Sequence, residues 1–317
     1  MSGNVQQPMG VVPQENGFHV DGSEGTNGTA RFDPNFTDSV IDATGSKANP
    51  RVRKVVASLV RYMHDFCREN EITMSEFMAG VDMMNRAGQM SDDKRNETLL
   101  CLDILGVETL VDEITHKVVS EAPDLPTATA VLGPFWRKDA PIFKLGESIV
   151  KGFEDGERAF VYGKVLDFDT GEPIANAELD VWHAGSNGLY ENQDPDQPEM
   201  NLRGRFYTNA DGSYHFYCLR PTQYPIPLDG PGGELLNLLD RHPYRPAHIH
   251  FILSAEGYKP LVTQIFDRRD EYIDNDSVFA VKDSLVVDFK PRQGDEKAQS
   301  ELEYDFKLVG YGKAVKS

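Results

Sequence analysis

The first residues to consider for chemistry are His248 and His250, in the run Arg245–Leu253, which reads RPAHIHFIL. The β-branched and aromatic content of this run favours a β-strand, in which side chains alternate between two faces. Both imidazoles would then point to the same side and could bind one metal ion. The alternative is a pair of hydrogen-bonded structural histidines at the end of a strand. Only the remaining ligands can decide between these two interpretations.

Further ligands of the usual types are hard to choose from spacing alone. A catalytic metal commonly takes its third ligand from Cys, His, Asp or Glu. His183 and His215 lie in neighbouring predicted strands, and His242 lies in a loop. Carboxylates are abundant, and none is singled out by its position. At this point a zinc site and a two-histidine, one-carboxylate Fe(II) site are both open.

The composition excludes some classes of partner. The chain has 317 residues, 51 acidic against 32 basic, and a net charge of -19, which repels nucleic acid and anionic membrane surfaces. Cys67, Cys101 and Cys218 lie far apart and predict neither a disulfide framework nor a zinc knuckle. We find neither a secretory signal pattern nor an apolar run long enough to insert into a membrane, so we expect a cytoplasmic protein.

The first part of the chain predicts a mobile tail followed by helices. Residues 1–35 are rich in Gly, Asn, Gln, Ser and Pro and contain few apolar residues. From Pro50 to Cys67 apolar residues recur at intervals of three and four, which predicts an amphipathic helix. Thr73–Glu76 forms a capping-box pattern that opens a second helix. A third helix is expected from Ser91 to Gly106 and a fourth from Glu108 to Val119.

After Pro123 the apolar pattern changes to the alternation that is typical of strands. Strands are predicted at residues 159–167, 177–183, 203–208, 213–219, 247–254, 261–267, 284–289 and 303–308. Because helices and strands form separate blocks, the predicted fold class is α+β, and not a doubly wound sheet. We expect a helical domain over residues 36–125 and a mainly antiparallel β-sandwich or barrel over 126–317. The Gly230–Gly233 cluster is predicted to be a turn.

Several motifs between Ala128 and Asp288 together resemble the intradiol ring-cleaving dioxygenases. They are GKVLD at 163–167, GEPIANAELDVWHA at 171–184, GLY at 188–190, LRGR at 202–205, DGSY at 211–214, RPTQYPIP at 220–227 and RPAHIH at 245–250. The resemblance implies one non-haem Fe(III) per subunit, bound by Tyr190, Tyr224, His248 and His250. Spacing alone does not select those two tyrosines from the twelve in the chain.

The implied ligands make chemical sense. Fe(III) is a hard cation that favours anionic oxygen, and its binding can deprotonate a phenol whose free pKa is near 10. By the family's mechanism Tyr224 leaves the iron and accepts a substrate proton, while Tyr190 stays bound. Arg245 would stabilise charge on the substrate, and Gln264 would position the reacting group. Arg245 precedes His248 by an odd number of residues, so a regular strand would point it away unless Pro246 bends the chain.

The family resemblance also implies a substrate pocket. Its predicted wall consists of Leu100, Asp103, Val131, Leu132, Gly133, Pro134, Phe135, Ile226 and Pro227. The Gly-Pro-Phe-Trp sequence at 133–136 is more similar to hydroxyquinol 1,2-dioxygenases than to catechol 1,2-dioxygenases. Asp103 would form a hydrogen bond with the third hydroxyl of 1,2,4-trihydroxybenzene, which catechol and chlorocatechol lack. The alternative for Asp103 is a solvated position on its helix.

The expected partners are a small aromatic diol or triol and dioxygen. The resemblance further implies a homodimer joined through the N-terminal helices, in some members with a bound lipid. Catechol or chlorocatechol 1,2-dioxygenase is the close alternative activity. A non-catalytic transthyretin-like β-sandwich module is the alternative from another class, because the GEPIANA pattern at 171–177 is also similar to that fold.

Overall fold

The structure is a computed structural model that describes residues 33–116, 125–152 and 155–311. It divides into two compact units, residues 1–73 and 74–317, and each is described by itself. The helices are α1 Phe36–Asp42, α2 Pro50–Glu69, α3 Met74–Met90, α4 Glu97–Ile104, α5 Val107–Thr115 and α6 Pro231–Leu238. The longer strands are β1 Arg158–Asp167, β2 Glu178–Trp182, β3 Arg203–Tyr207 and β4 Ser213–Leu219, with β7 His248–Ser254 and β8 Leu261–Asp267. The shorter strands are β5 Tyr224–Pro225, β6 Tyr244–Arg245, β9 Val286–Val287, β10 Lys290–Pro291, β11 Ser300–Glu303 and β12 Phe306–Leu308.

The first unit consists of α1 and α2 within its described residues. The Asn49 side chain accepts a hydrogen bond from the backbone N–H of Arg51, and Pro50 occupies the first turn, so α2 begins where the sequence predicts. The hydroxyl of Thr37 on α1 pairs with Nδ1 of His64 on α2 at 3.0 Å. The predicted tail, residues 1–35, lies almost entirely outside the described residues.

The helices of the second unit differ from the prediction at three points. Helix α4 begins at Glu97, because the Asn96 side chain caps it, and not at Ser91. Helix α5 ends at Thr115, while the rest of the predicted segment to Val119 runs beyond residue 116, where the description stops. The turn predicted at Gly230–Gly233 is wrong, because this segment opens α6 with Pro231 in the first turn.

The strands form two five-stranded sheets and a small ribbon within the described residues. One sheet has the order β3-β2-β7-β8-β9, and β5 pairs with β6 in the ribbon. The other follows β10-β11-β1-β12, with β4 also paired to β1. The α+β class is confirmed, but the sheets are mixed and neither closes into a barrel. Strand β1 runs parallel to β11 and β12, and β8 runs parallel to β9.

Register in the first sheet positions the candidate site. His250 lies opposite Trp182 on β2 and opposite Gln264 on β8. In the ribbon, Tyr224 lies opposite Arg245. The sheets pack through buried apolar side chains such as Val161, Phe206 and Phe251, which are fully buried. The site residues are therefore attached to an ordered, dehydrated framework.

Candidate functional site

The two histidines of β7 converge on one point. Their Nε2 atoms lie 3.0 Å apart, and both side chains are buried. The carbonyl oxygen of Pro246 lies 2.7 Å from Nδ1 of His248 and can only accept, so that nitrogen carries the proton and Nε2 presents its lone pair. The His250 ring stacks on Trp182 with centroids 4.6 Å apart. The same-face geometry expected from the strand is present.

Two buried tyrosines complete the cluster. Tyr190 lies in the loop after β2, where its backbone N–H donates to the Gln193 side chain at 2.9 Å. Its ring centre lies 5.3 Å from that of Tyr224 and 6.4 Å from that of His250. The Tyr224 ring lies 5.5 Å from His248. The chain thus brings two phenols and two imidazoles together from one loop, the ribbon and β7.

The electrostatics of this cluster fit a bound cation. Burial lowers the pKa of both imidazoles well below its usual value, and the Arg245 charge adds to this, so both rings are neutral. Burial raises the pKa of Tyr190 well above its usual value, and the neighbouring Tyr224 raises it further. Within the described residues the buried Tyr190 hydroxyl has no hydrogen bond of regular geometry. An unpartnered phenol beside two neutral imidazoles is the donor set expected of a metal site.

The other metal sites considered above find no support. In the part of the chain that the structure describes, no three His, Cys, Asp or Glu side chains are grouped to hold a metal ion. His183 is buried with its Nδ1 against the Ala184 carbonyl oxygen, and His215 packs against Phe160. A zinc site and a two-histidine, one-carboxylate site both require such a group.

Arg245 lies beside the cluster at the centre of a hydrogen-bond network. Its Nη1 is 3.1 Å from Nε2 of His248, and its Nη2 donates to Oε1 of Gln264 at 2.9 Å. Its Nε and Nη2 donate to the two carboxylate oxygens of Asp276 at 3.0 and 3.1 Å. Burial lowers the pKa of Arg245, but Asp276 and the two tyrosines outweigh burial, so the net pKa is raised and the charge is retained.

Two features of this network differ from the sequence analysis. Arg245 belongs to β6 and not to the strand of the histidines, so the alternation rule that would point it away does not apply. Asp276 lies in the segment Asp274-Asn275-Asp276, one of many acidic runs, and no sequence signal distinguishes it. Its carboxylate also accepts the backbone N–H groups of Val278 and Ala280, which fixes its orientation.

The residues predicted to form the substrate pocket are placed as follows. Leu100, Phe135 and Ile226 are buried in one apolar cluster with Tyr190 and Tyr224, and Leu132 packs against it. The Val131 carbonyl oxygen accepts from Gln264 Nε2 at 2.6 Å. Gly133 has φ of +74°, and a Cβ added there would lie 3.3 Å from Cε1 of His250. Pro134 and Pro227 are half-buried, and their pocket role stays a prediction.

Asp103 is buried, and it forms an acid pair with Glu108. Oδ1 of Asp103 and Oε2 of Glu108 are buried and receive no hydrogen bond from an N–H or hydroxyl group of the described residues. Burial and a hydrogen bond with Glu108 raise the pKa of Asp103 to about 9. The Arg245 charge lowers this pKa and the Asp276 charge raises it, both by less than burial does. At neutral pH the Asp103 carboxyl therefore keeps its proton. Glu108 was not anticipated from the sequence.

Glu108 also connects the acid pair to the predicted pocket wall. Its Oε1 accepts the backbone N–H of Leu132 at 3.0 Å. The solvated alternative for Asp103 is therefore wrong, because the side chain is only 2% exposed.

Comparison with known proteins gives a consistent set of relatives. Residues 49–122 match the family model described as "Catechol dioxygenase N terminus", and residues 131–310 match that described as "Dioxygenase". An intradiol ring-cleavage dioxygenase of Aspergillus niger, prcA, is 48% identical over 88% of this chain and 89% of its own. A catechol 1,2-dioxygenase of Candida albicans is 48% identical over 86% of this chain and 91% of its own. The crystal structure of hydroxyquinol 1,2-dioxygenase from Pseudomonas putida DLL-E4 superposes with a TM-score of 0.76 at 41% identity, covering 87% of this chain and 97% of that chain.

Proposed function

Since the chain belongs to the intradiol ring-cleavage dioxygenases, we propose that it cleaves hydroxyquinol, 1,2,4-trihydroxybenzene, with dioxygen between its two adjacent hydroxyl-bearing carbons. The product would be 3-hydroxy-cis,cis-muconate, which tautomerises to maleylacetate. The observation that carries the choice of substrate is the buried Asp103–Glu108 acid pair. The pair lies near enough to Arg245 for the arginine charge to act on the pKa of Asp103. The similarity to the Pseudomonas putida enzyme supports the same choice.

Members of this family generally hold a non-haem Fe(III), and we propose that Tyr190, Tyr224, His248 and His250 bind it here, one ion per subunit. Two phenols that release their protons and two neutral imidazoles suit a hard trivalent cation. The bound ion would supply the Lewis acidity that makes a catecholate ring reactive towards dioxygen. The unpartnered Tyr190 hydroxyl and the facing Nε2 atoms support this assignment.

The protein's own groups would handle protons and charge. Tyr224, on the short ribbon, accepts the proton of a substrate hydroxyl, because a phenolate is a strong enough base for a catechol. Arg245 presents a fixed positive charge beside the histidines and stabilises negative charge on the substrate oxygens. Gln264 is hydrogen-bonded at both ends of its amide, to Arg245 through the oxygen and to the Val131 carbonyl through the nitrogen. This neutral amide orients Arg245 and does not itself take up a proton from the substrate.

The acid pair would select the third hydroxyl. The buried Asp103 carboxyl can accept a hydrogen bond from that hydroxyl, and because its pKa is raised, its proton keeps a negative charge out of the protein interior. A diol leaves the acceptor unpaired, at a cost of about 1–3 kcal/mol, or roughly fivefold to 160-fold in specificity.

Oxygen uptake measured side by side with hydroxyquinol, catechol, 4-chlorocatechol and 3,4-dihydroxybenzoate tests this proposal. We expect hydroxyquinol to have the highest kcat/KM, and the benzoate the lowest, because its carboxylate would be buried beside the carboxyl groups of Asp103 and Glu108. The matched variant is Asp103→Asn, which keeps the size of the side chain, alongside Asp103→Leu. If neither substitution changes the hydroxyquinol-to-catechol ratio of kcat/KM, the acid pair does not select the substrate.

Catechol 1,2-dioxygenase activity is the second candidate. The relative of that name from Candida albicans, at 48% identity, favours it. A catechol kcat/KM equal to or above that of hydroxyquinol would establish this alternative. The transthyretin-like module is excluded, because the chain belongs to an enzyme family.

We also infer that two subunits associate through the helical domain at residues 36–125, with the catalytic domain at 126–317. The α2 face formed by Val52, Val55, Val56, Leu59, Met63 and Phe66 is 41–57% exposed at each position. A contiguous apolar face of this kind is covered by a second copy or by lipid chains. Sedimentation of the full chain should give a dimer that Leu59→Glu dissociates and Ser58→Glu leaves intact. Mass spectrometry of an organic extract reports any lipid.

The remaining partners follow from the same activity. The proposed reaction requires only a small aromatic substrate and dioxygen as reactants. A nucleic-acid partner is not expected for a chain with a net charge of -19. No helix within the described ranges is long and apolar enough to cross a membrane. The cytoplasmic location expected from the sequence stays a proposal.

A further inference from the structure

Arg203 is a buried cation with no part in the proposed chemistry. It lies on β3, is only 1% exposed, and is one of the largest fully buried side chains in the described residues. Its guanidinium carbon lies 5.7 Å from the centre of the Tyr190 ring. A buried charge has a large desolvation cost, which its partners must offset. Its contacts therefore indicate what it does.

The guanidinium connects the Tyr190 loop to the predicted pocket wall. Its Nε donates to Oε2 of Glu191, the residue after Tyr190, at 2.6 Å. Its Nη1 donates to the backbone carbonyl oxygen of Phe135 at 2.7 Å. The Phe135 ring in turn packs on the Tyr190 ring with centroids 4.7 Å apart. One rigid fork thus holds both the side chain of the residue next to Tyr190 and the backbone of Phe135, whose ring packs against Tyr190.

The partner of Arg203 is itself fixed in place. Glu191 is buried, and its second oxygen, Oε1, accepts from Nη1 of Arg137 at 2.6 Å. Arg137 is bound on its other side to the exposed Glu199. Both oxygens of Glu191 are therefore used, one by each arginine, and Arg203 alone extends the contact to Phe135.

We propose that Arg203 is a positioning residue that sets the orientation of the Tyr190 ring against Phe135 and thereby the shape of the metal and substrate site. This inference rests on the proposed function, in which Tyr190 is a metal ligand. A lysine cannot replace Arg203, because a single ammonium lacks the planar fork needed to reach Glu191 and Phe135 in fixed directions. The orientation of Tyr190 should thus depend on the shape of the side chain as well as on its charge.

The test compares Arg203→Lys and Arg203→Met with Arg137→Met, which removes another cation from the same Glu191. In the metal-free full chain, NMR of ring-¹³C-tyrosine, with Tyr190 assigned through Tyr190→Phe, should show a shifted or broadened Tyr190 signal in both Arg203 variants. Arg137→Met should leave the signal close to that of the wild type. After loading with equal iron, the phenolate-to-iron absorption band should move to longer wavelength in Arg203→Met, because a cation that stabilises the donor is lost.

The kinetic expectation follows from misplacement of the ligand ring. The kcat/KM for hydroxyquinol should fall by about tenfold or more in both Arg203 variants and less than about threefold in Arg137→Met. Thermal melting of each variant verifies that the folded fraction is being measured. Unchanged Tyr190 signals in folded Arg203 variants overturn the inference. A wild type that binds no iron overturns the proposed function instead, and the metal-free NMR result still decides the positioning role.

Discussion

The Arg245–Asp276 pair allows a quantitative prediction. Asp276→Asn should destabilise the protein by about 3–5 kcal/mol, the usual cost of leaving one partner of a buried ion pair unpaired. The two side chains are only 3% and 2% exposed, so solvent cannot compensate. Two charge-assisted hydrogen bonds at about 1.5–3 kcal/mol each give a similar sum. Relative to a typical total stability of about 5–15 kcal/mol, this is a large loss.

The geometry explains why the amide is a poor substitute. Four N–H groups point at the Asp276 carboxylate, two from Arg245 and one each from Val278 and Ala280, at 3.0–3.2 Å. An asparagine offers one acceptor oxygen, and its amino group would face donors. Arg245 then loses its orientation, so kcat/KM for the preferred substrate should fall by at least about a hundredfold.

Urea unfolding of Asp276→Asn, with activity measured well below the melting temperature, tests both expectations. The matched control is Asp288→Asn, which removes the carboxylate from the exposed Arg268–Asp288 pair, where the closest atoms are 3.1 Å apart. Surface pairs of this kind contribute about 0–1 kcal/mol. If Asp276→Asn costs no more stability than Asp288→Asn, the argument that Asp276 anchors Arg245 is wrong.

Three further predictions concern the site. Tyr190→Phe and Tyr224→Phe should each lower bound iron after reconstitution and weaken the visible absorption band, whereas Tyr214→Phe, at a buried tyrosine whose hydroxyl donates to a backbone carbonyl oxygen, should retain both. The pKa of Asp103 rises from 3.8 to about 9 on folding, so its contribution to stability is present below pH 3.8 and is lost towards pH 9. Urea unfolding across this pH range should therefore show that the free energy of unfolding falls more steeply in the wild type than in Asp103→Asn. Gly133→Ala should reduce iron affinity, measured by chelator competition, because the added methyl crowds His250 at a residue with φ of +74°; an unchanged affinity would show that the ring can move aside.

The sequence predicts those parts of the fold that depend on local pattern. The alternation at 247–254 predicts that His248 and His250 share a face, and the capping residues near Pro50 and Met74 predict two helix starts. The parallel pairing of β1 with β11 and β12 depends on contacts more than 130 residues apart, for which no local signal exists.

The same distinction applies to the site. Asp276 and Glu108 acquire their importance from burial and from partners distant in the chain, such as Arg245 and Leu132. Periodicity could not select Tyr190 and Tyr224, and only the resemblance to the family did so. Gly and Pro disfavour helices, so the sequence predicts a turn at Gly230–Gly233. Within the fold, the backbone N–H of Gly232 instead donates to Glu97 at 2.9 Å and anchors the first turn of α6.

The most direct test of the proposed activity is the fate of dioxygen. The iron-reconstituted protein is incubated with hydroxyquinol under ¹⁸O₂, and the products are identified by mass spectrometry within the first turnovers. We expect cleavage between the two adjacent hydroxyl-bearing carbons, with one ¹⁸O atom in each of the two new carboxyl groups of 3-hydroxymuconate or maleylacetate. A product with an aldehyde at the cleavage site, or no consumption of oxygen by iron-loaded protein, would contradict the account.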